Sequence, residues 1–392
     1  MRRSLVIAPF INPDAPSCRP SLAVRALARL GPVDVLTTGF DHFRKHHKDG
    51  QGVAGADRVA CISVPGYRAN AGPARFLSHL VFALGAARWY RARRESYDLV
   101  YATSPLSFAA WLAFRVSAPA CRVLDVIDIW PDTLPFPDVS RRALAPLFAL
   151  WRATFAAAVR RADRLLTVND RFLHDAHVYF HGDAQATMRL YLAHARLPVE
   201  KGRRESRPTL VYVGNIGHVY DFETLLDALS RPALRERWQL FIVGEGDRRA
   251  WLLNELQRRG IKHEYFGQVF ENAPLARILE RAHVGFNGFH ASSASFSYKA
   301  ATYLAAGLPI INSMGGDLNE RVRLQGLGCN YRAGDAVDLA RCLRDFDVTD
   351  TDVNERCRQF FETELDEDVV LERLHAFLST GIRPDEARGT WA

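Results

Sequence analysis

The sequence predicts an α/β protein built of two Rossmann-like domains, and three observations carry that prediction. In both halves, apolar runs of strand length end at polar or glycine-rich turns and lead into helical patterns, the signature of βαβ units. The 392 residues exceed one ordinary core and suit two domains of about 190 residues each. The composition, 48% hydrophobic and 24% charged, is that of a globular chain and excludes disorder. We expect the domains at 1–196 and 197–392.

The first half opens with an apolar strand from Ser4 to Phe10. Met1-Arg2-Arg3 before it resembles a leader start, but the apolar run stops at Pro9, so a first strand is the better reading. A breaker-rich loop, Ile11 to Pro20, precedes a helix from Leu22 to Leu30; Gly31 caps it and Val33 to Thr38 is the next strand. The loop lacks G-x-G-x-x-G. Its polar candidates for ligand contact are Asn12 and Arg19, with an ordinary solvated loop as the alternative. Helices are expected from Pro73 to Glu95 and from Ser140 to Arg164, each mixing an apolar body with arginines and Trp or Tyr. Such helices either pack on a sheet with charged outer faces or lie on an anionic membrane surface. Strands at Asp98–Ala102 and Arg122–Ile127 end in Thr103-Ser104-Pro105 and Asp128-Ile129-Trp130-Pro131-Asp132-Thr133, loops at the carboxyl ends where ligands of such folds collect. Asp128 is the candidate general base, or a helix cap ahead of Pro131. Leu165–Asn169 is a further strand, and the polar, basic segment His181–Arg207 is the expected linker.

In the second half, strand Thr209–Val213 runs into Gly214-Asn215-Ile216-Gly217 and a helix near Phe222–Leu229. The arrangement recurs at Leu240–Val243 with Gly244-Glu245-Gly246. Glu264–Val269 is a short strand and turn, and His283–Phe289 leads to the segment SSASFSYKAATYLAAGLPIIN, Ser292 to Asn312. Here a small-residue loop enters a helix at Tyr298, and Gly307-Leu308-Pro309 stops it before Ile310-Ile311. A helix start with Ser295, Ser297 and Lys299 around it suits an anion; helix-Gly-x-Pro-strand is also an ordinary α/β connection. Helices at Ala336–Phe346 and Val353–Leu378 close the chain.

Charge is uneven: 26 Lys and Arg against 15 Asp and Glu through Arg196, and 25 against 29 beyond it. No run reaches about 18 apolar residues, so no membrane span is expected. The six cysteines lie far apart without C-x-x-C, which points to free thiols in a reducing compartment rather than a disulfide framework or zinc site. No nucleic-acid motif accompanies the basic balance, and no nucleic acid is expected as a partner.

Lys299-x-x-x-Tyr303-Leu304-Ala305-Ala306-Gly307-Leu308-Pro309 closely resembles the donor-site helix of GT-B glycosyltransferases, which transfer sugars from nucleotide-sugars between two facing Rossmann domains with a cleft between them. The paired glycine turns and the DIWPD segment are similar to those of bacterial surface-polysaccharide glycosyltransferases. The resemblance implies a hexosyltransferase using a nucleoside-diphosphate sugar, a UDP-sugar first, and no cofactor. Its donor-binding residues would be Gly214, Asn215, Gly217, Gly244, Glu245, Gln268, Val269, Ser297, Tyr298 and Lys299. Asn12, Arg19, Trp130 and Asp132 would face a glycan or lipid-linked acceptor, with Asp128 catalytic, in the cytoplasm or on the inner face of the plasma membrane.

The sequence departs from the commonest pattern of that family. The two glutamates, seven residues apart, of many retaining members align with Ala294 and Thr302, and the Arg and Lys after the first glycine turn become Asn215 and Tyr220. A smaller group with K-L-S-x-Y-L-A-A-G-x-P also lacks the glutamates. Lys299 and the helix start would then stabilise the departing diphosphate, which needs no metal ion. The loss of the glutamates also keeps open a degenerate subunit that binds a partner enzyme; a nucleotide-sugar epimerase on the same fold is a further alternative, although such enzymes normally present acidic groups near the sugar.

Overall fold

The computed structural model describes residues 3–11, 17–42, 45–47, 52–68, 72–116, 120–134, 142–200, 204–290 and 295–380. Asn12 and Ala294 lie outside them. The chain divides into two compact units, Met1–Tyr191 with Val370–Ala392, and Leu192–Val369. The boundary thus falls a few residues before the expected one, and the end of the chain belongs to the first unit rather than the second.

The first unit holds a parallel sheet of seven strands in the order β3-β2-β1-β4-β5-β6-β7. These are β1 (Ser4–Ile7), β2 (Val33–Thr38), β3 (Arg58–Ile62), β4 (Leu99–Thr103), β5 (Cys121–Val126), β6 (Arg164–Thr167) and β7 (Thr187–Arg189). Strands β1, β2 and β4 are buried along their whole length, which is why β1 and β4 read as nearly continuous apolar runs rather than alternating ones. The edge strands β3 and β7 are partly exposed and carry no such run; β7 lies inside the segment expected to be a linker. Among the helices are α1 (Arg19–Ala28), α2 (Pro73–Arg91), α3 (Ser107–Val116), α4 (Ala145–Arg161) and α5 (Asp170–His177).

The second unit repeats the plan with six parallel strands, β10-β9-β8-β11-β12-β13. They are β8 (Thr209–Val213), β9 (Gln239–Val243), β10 (His263–Tyr265), β11 (Val284–Asn287), β12 (Ile310–Asn312) and β13 (Gly328–Asn330). Its helices include α6 (Phe222–Leu229), α7 (Pro232–Arg237), α8 (Arg249–Arg258), α9 (Asn272–Arg281), α10 (Tyr298–Ala305), α11 (Asp317–Gln325), α12 (Ala336–Asp345) and α13 (Asp352–Phe360). Tyr212, Phe222, Trp238 and Phe286 anchor the core, each shielded from solvent. Both sheets reverse strand order once, between β1 and β4 and between β8 and β11. The carboxyl ends there form the crevice in which such folds hold ligands.

The last helix among the described residues, α14 (Glu367–Thr380), belongs to the first unit from Val370 on. One expectation about cysteine fails: Cys329 and Cys342 form a disulfide, their Cα atoms 5.9 Å apart. Strand β13 and helix α12 bring together residues whose separation along the chain gave no hint of pairing. Cys18, Cys61, Cys121 and Cys357 take part in no disulfide among the described residues.

Candidate functional site

At the switch point of the second sheet, three strand ends turn in step. The N–H of Gly214 donates to the Val243 carbonyl at 2.9 Å, and that of Gly244 to the Gly267 carbonyl at 2.7 Å. A Cβ on Gly244 would lie 1.9 Å from the Gly214 carbonyl oxygen, and φ there is +138°, so only glycine allows the two turns to nest. The nesting aligns Gly214, Asn215, Gly244 and Glu245 beside the Gly267-Gln268-Val269 turn. Glu245 accepts from the Tyr265 hydroxyl at 2.5 Å and from Arg249 at 3.1 Å. Gln268 is exposed and Val269 half-buried.

Helix α10 enters this crevice from the other side. Ser297 caps it, its Oγ accepting from the Ala300 N–H at 3.1 Å and donating to Asn287 Oδ1 at 2.7 Å. Its hydroxyl proton is therefore committed to the scaffold, and the attraction for an anion comes from the helix start and Lys299. Tyr303, one turn on, accepts from the Val213 N–H at 2.9 Å and donates to the Phe286 carbonyl at 3.1 Å, which locks α10 to the ends of β8 and β11.

Lys299 lies across Gly214, where a Cβ would come within 3.2 Å of its Cδ. Its Nζ stands 3.7 Å from the centre of the Tyr220 ring, 4.5 Å from Phe289 and 5.5 Å from Tyr212. Burial among these rings pushes the Lys299 ammonium down to about 7. Tyr220 and Phe289 went unnoticed as site residues. The available signal was Tyr220 itself, an aromatic at the position where the resembled family carries a second cation. Thr302 donates to the Tyr298 carbonyl at 3.1 Å and lies 3.0 Å from His194 Nε2 in the interior.

The first unit has its own polar cluster at the carboxyl end of β5. Asp128 accepts from the Ile129 N–H at 2.9 Å, from Trp130 Nε1 at 2.8 Å and from the Thr133 hydroxyl. It therefore organises its own turn, and burial raises its pKa while these donors and the Arg75 charge oppose the rise. The Arg75 guanidinium sits 4.5 Å from the Trp130 ring centre, and His79 stacks on the same indole at 5.7 Å. Burial holds His79 down near 3 and His42 near 4, so both rings are neutral at physiological pH. Arg75 and His79 lie on one stretch of α2, a helix that the sequence singled out for its arginines further on.

Two expected acceptor-side residues have other partners. Asp132 forms an exposed ion pair with Arg152, Nη2 to Oδ1 at 2.6 Å. Arg19 points into the interior, donating to the Leu190 carbonyl, with its Nε 3.6 Å from Asp125. Asn12 lies outside the described residues.

Residues 207–346 match the family model of group 1 glycosyl transferases. Curated protein sequences give no match. Among solved structures, sucrose-phosphate synthase from Thermosynechococcus elongatus aligns over 97% of this chain and 99% of its own, with TM-score 0.69 and 16% identity. HepE from Anabaena, solved in complex with UDP, aligns over 97% and 100% with TM-score 0.65 and 16% identity. The lipopolysaccharide outer core galactosyltransferase WaaB aligns over 97% and 99% with TM-score 0.65 and 15% identity. The chain thus has the GT-B glycosyltransferase fold along its length, and the group 1 glycosyl transferase match lies within its second unit.

Proposed function

We propose that the chain moves a hexose from a nucleoside-diphosphate sugar, with UDP as the first candidate base carrier, to a glycan or lipid-linked acceptor of surface polysaccharide or glycoconjugate synthesis. The observation that carries this reading is Lys299 lying across the Gly214 turn at the start of α10. There a diphosphate would meet the protonated form of Lys299 and the positive end of a helix together. The bound UDP and UDP-glucose of the Anabaena neighbour support the choice of donor. The nested glycine turns would pass the nucleotide toward Gln268 and Val269, where the exposed ring of Phe270 is available to a base. Leaving-group charge would develop beside Lys299, so the departure needs no metal ion. Asp128 would take the acceptor proton if the reaction inverts the anomeric centre.

Membrane-surface contact is part of the proposal. Leu77, Leu80 and Leu84 of α2, and Leu147 and Leu150 of α4, are exposed leucines on helices that also carry Arg88, Arg91, Arg160 and Arg161 in their last turns. No helix among the described residues is long and apolar enough to cross a membrane.

The degenerate-subunit reading draws on Thr302, which offers no ionisable group and is bonded inside the second unit. A panel of UDP-, GDP-, ADP- and CMP-sugars, tested for thermal stabilisation in chelator, separates the two. We expect one nucleotide to raise the melting temperature of the wild type and to have no effect on Lys299→Ala. No shift with any nucleotide would favour the subunit.

A further inference from the structure

A cavity of about 740 Å3 opens in the second unit at the far end of α10 from Ser297. Ala305, Ala306 and Leu308 form one wall, so the cavity abuts the turn that ends this helix. Its size is that of a small-molecule site.

Two buried acceptors in its lining have no donor among the described residues. Glu280 on α9, only 7% exposed, accepts from the Glu200 N–H through Oε1 at 2.8 Å, while its Oε2 has no hydrogen-bond partner. Asn354 on α13, 3% exposed, donates to the Gly307 carbonyl at 2.7 Å, while its Oδ1 has none. Buried oxygens in this state are costly and are ordinarily satisfied by a donor from outside the scaffold. Arg204 and Arg358 also line the cavity, and the Arg204 cation is disfavoured by burial and then by the Arg358 charge. Arg358 pairs with Glu355 at 2.8 Å, and Arg196, a third lining arginine, with Asp366 at 2.5 Å. An anion beside Arg204 would relieve the repulsion from Arg358.

We propose that this cavity binds a small organic anion bearing hydroxyl groups, its phosphate or carboxylate against Arg204 and Arg358 and its hydroxyls donating to Glu280 and Asn354. The site is separate from the sugar-donor crevice and does not depend on the function proposed for it. It has a route to that crevice, because Asn354 holds the Gly307 turn and the eight-residue α10 carries Lys299 about 12 Å away. Only a role as effector of donor binding, exerted along α10, would rest on the proposed function.

The test is calorimetric titration of the full chain with glucose 6-phosphate, glycerol 3-phosphate and gluconate, with inorganic phosphate and glycerol as the two halves of the ligand. We expect one organic anion to bind with one-to-one stoichiometry and about tenfold or more tighter than inorganic phosphate. The phosphate and carboxylate arms identify the anionic group. Glu280→Gln puts an N–H donor where the orphan oxygen stands and keeps an oxygen for Glu200. It should weaken binding about tenfold or more, as should Arg204→Ala at the rim, a substitution that leaves the interior intact. Lys299→Ala should bind the anion as the wild type does. The proposal fails if no member binds up to about 10 mM. It also fails if binding survives both substitutions, or if Lys299→Ala abolishes it.

Discussion

At the scale of single residues, the depressed pKa of Lys299 ties stability to pH, and with it the proposed donor binding. Its ammonium titrates near 7 in the folded chain against an ordinary 10.5, so between those values the unfolded chain holds a proton that the folded chain lacks. Stability should rise with pH across that window, with the full penalty present below about 7 and none above about 10.5. Lys299→Met should accordingly melt higher than the wild type at neutral pH and below, and the gap should close toward pH 10.5. Equal melting temperatures of the two proteins at pH 6 would show that the cation is well solvated. A diphosphate binds the charged form, so donor affinity should fall by up to about tenfold per pH unit above 7, with proton uptake on binding. Asp128 poses a different question, because it already supports its own turn through Ile129, Trp130 and Thr133. If it is also the base, Asp128→Asn should lower kcat about a hundredfold or more while leaving the donor Kd unchanged. A loss of melting temperature with kcat intact would assign it to the turn alone.

At the scale of elements, the legible parts were those whose burial leaves an unbroken apolar run or whose ends carry glycine. Strands β1, β2, β4, β8 and β9 and the helix starting at Tyr298 were all readable in this way. Edge strands β3 and β7 were not, since partial exposure dilutes their pattern and they are held by pairing to one neighbour. In the crevice, Gly214, Gly244 and Lys299 were readable because their chemistry is local. The aromatic seat of Tyr220 and Phe289 was not, since the two lie far apart in sequence and meet only through a bridge between the strand-end loops. The cluster of Arg75, His79 and Trp130 was hidden for the same reason. Helix α2 also bears on the membrane. Leu77, Leu80 and Leu84 follow a spacing that puts them on one face, where a soluble helix would carry polar groups. Replacing Leu77, Leu84 and Leu150 by Gln should reduce co-sedimentation with anionic vesicles severalfold and leave thermal stability and donor binding unchanged. Undiminished sedimentation would assign the vesicle affinity to charge alone.

At the scale of the molecule, sequence order and structural membership part company at the end of the chain. The residues from Val370 onward belong to the first unit, which begins with the first strand. Val370, Leu371, Leu374, Phe377 and Leu378 are buried there. Arg164 at the start of β6 stacks on Phe377 at 4.0 Å, His375 bonds the Ala26 carbonyl at 3.0 Å, and Arg29 pairs with Glu372 at 2.6 Å. The exposed Arg29 pair adds little, and the apolar burial carries the weight. Five such side chains are worth on the order of 5 kcal/mol or more after ordering costs, comparable to the whole stability of a domain. A chain ending at Val369 should therefore lose amide-exchange protection in α1 and β6 of the first unit. Protection in β8, β9 and β11 should persist, because that sheet closes its core without the last helix. If the donor sits in the second unit's crevice as proposed, its binding should survive the truncation while transfer to an acceptor is lost. Equal loss of protection in both units would instead make the chain a single cooperative body, with stability shared across the division at Tyr191.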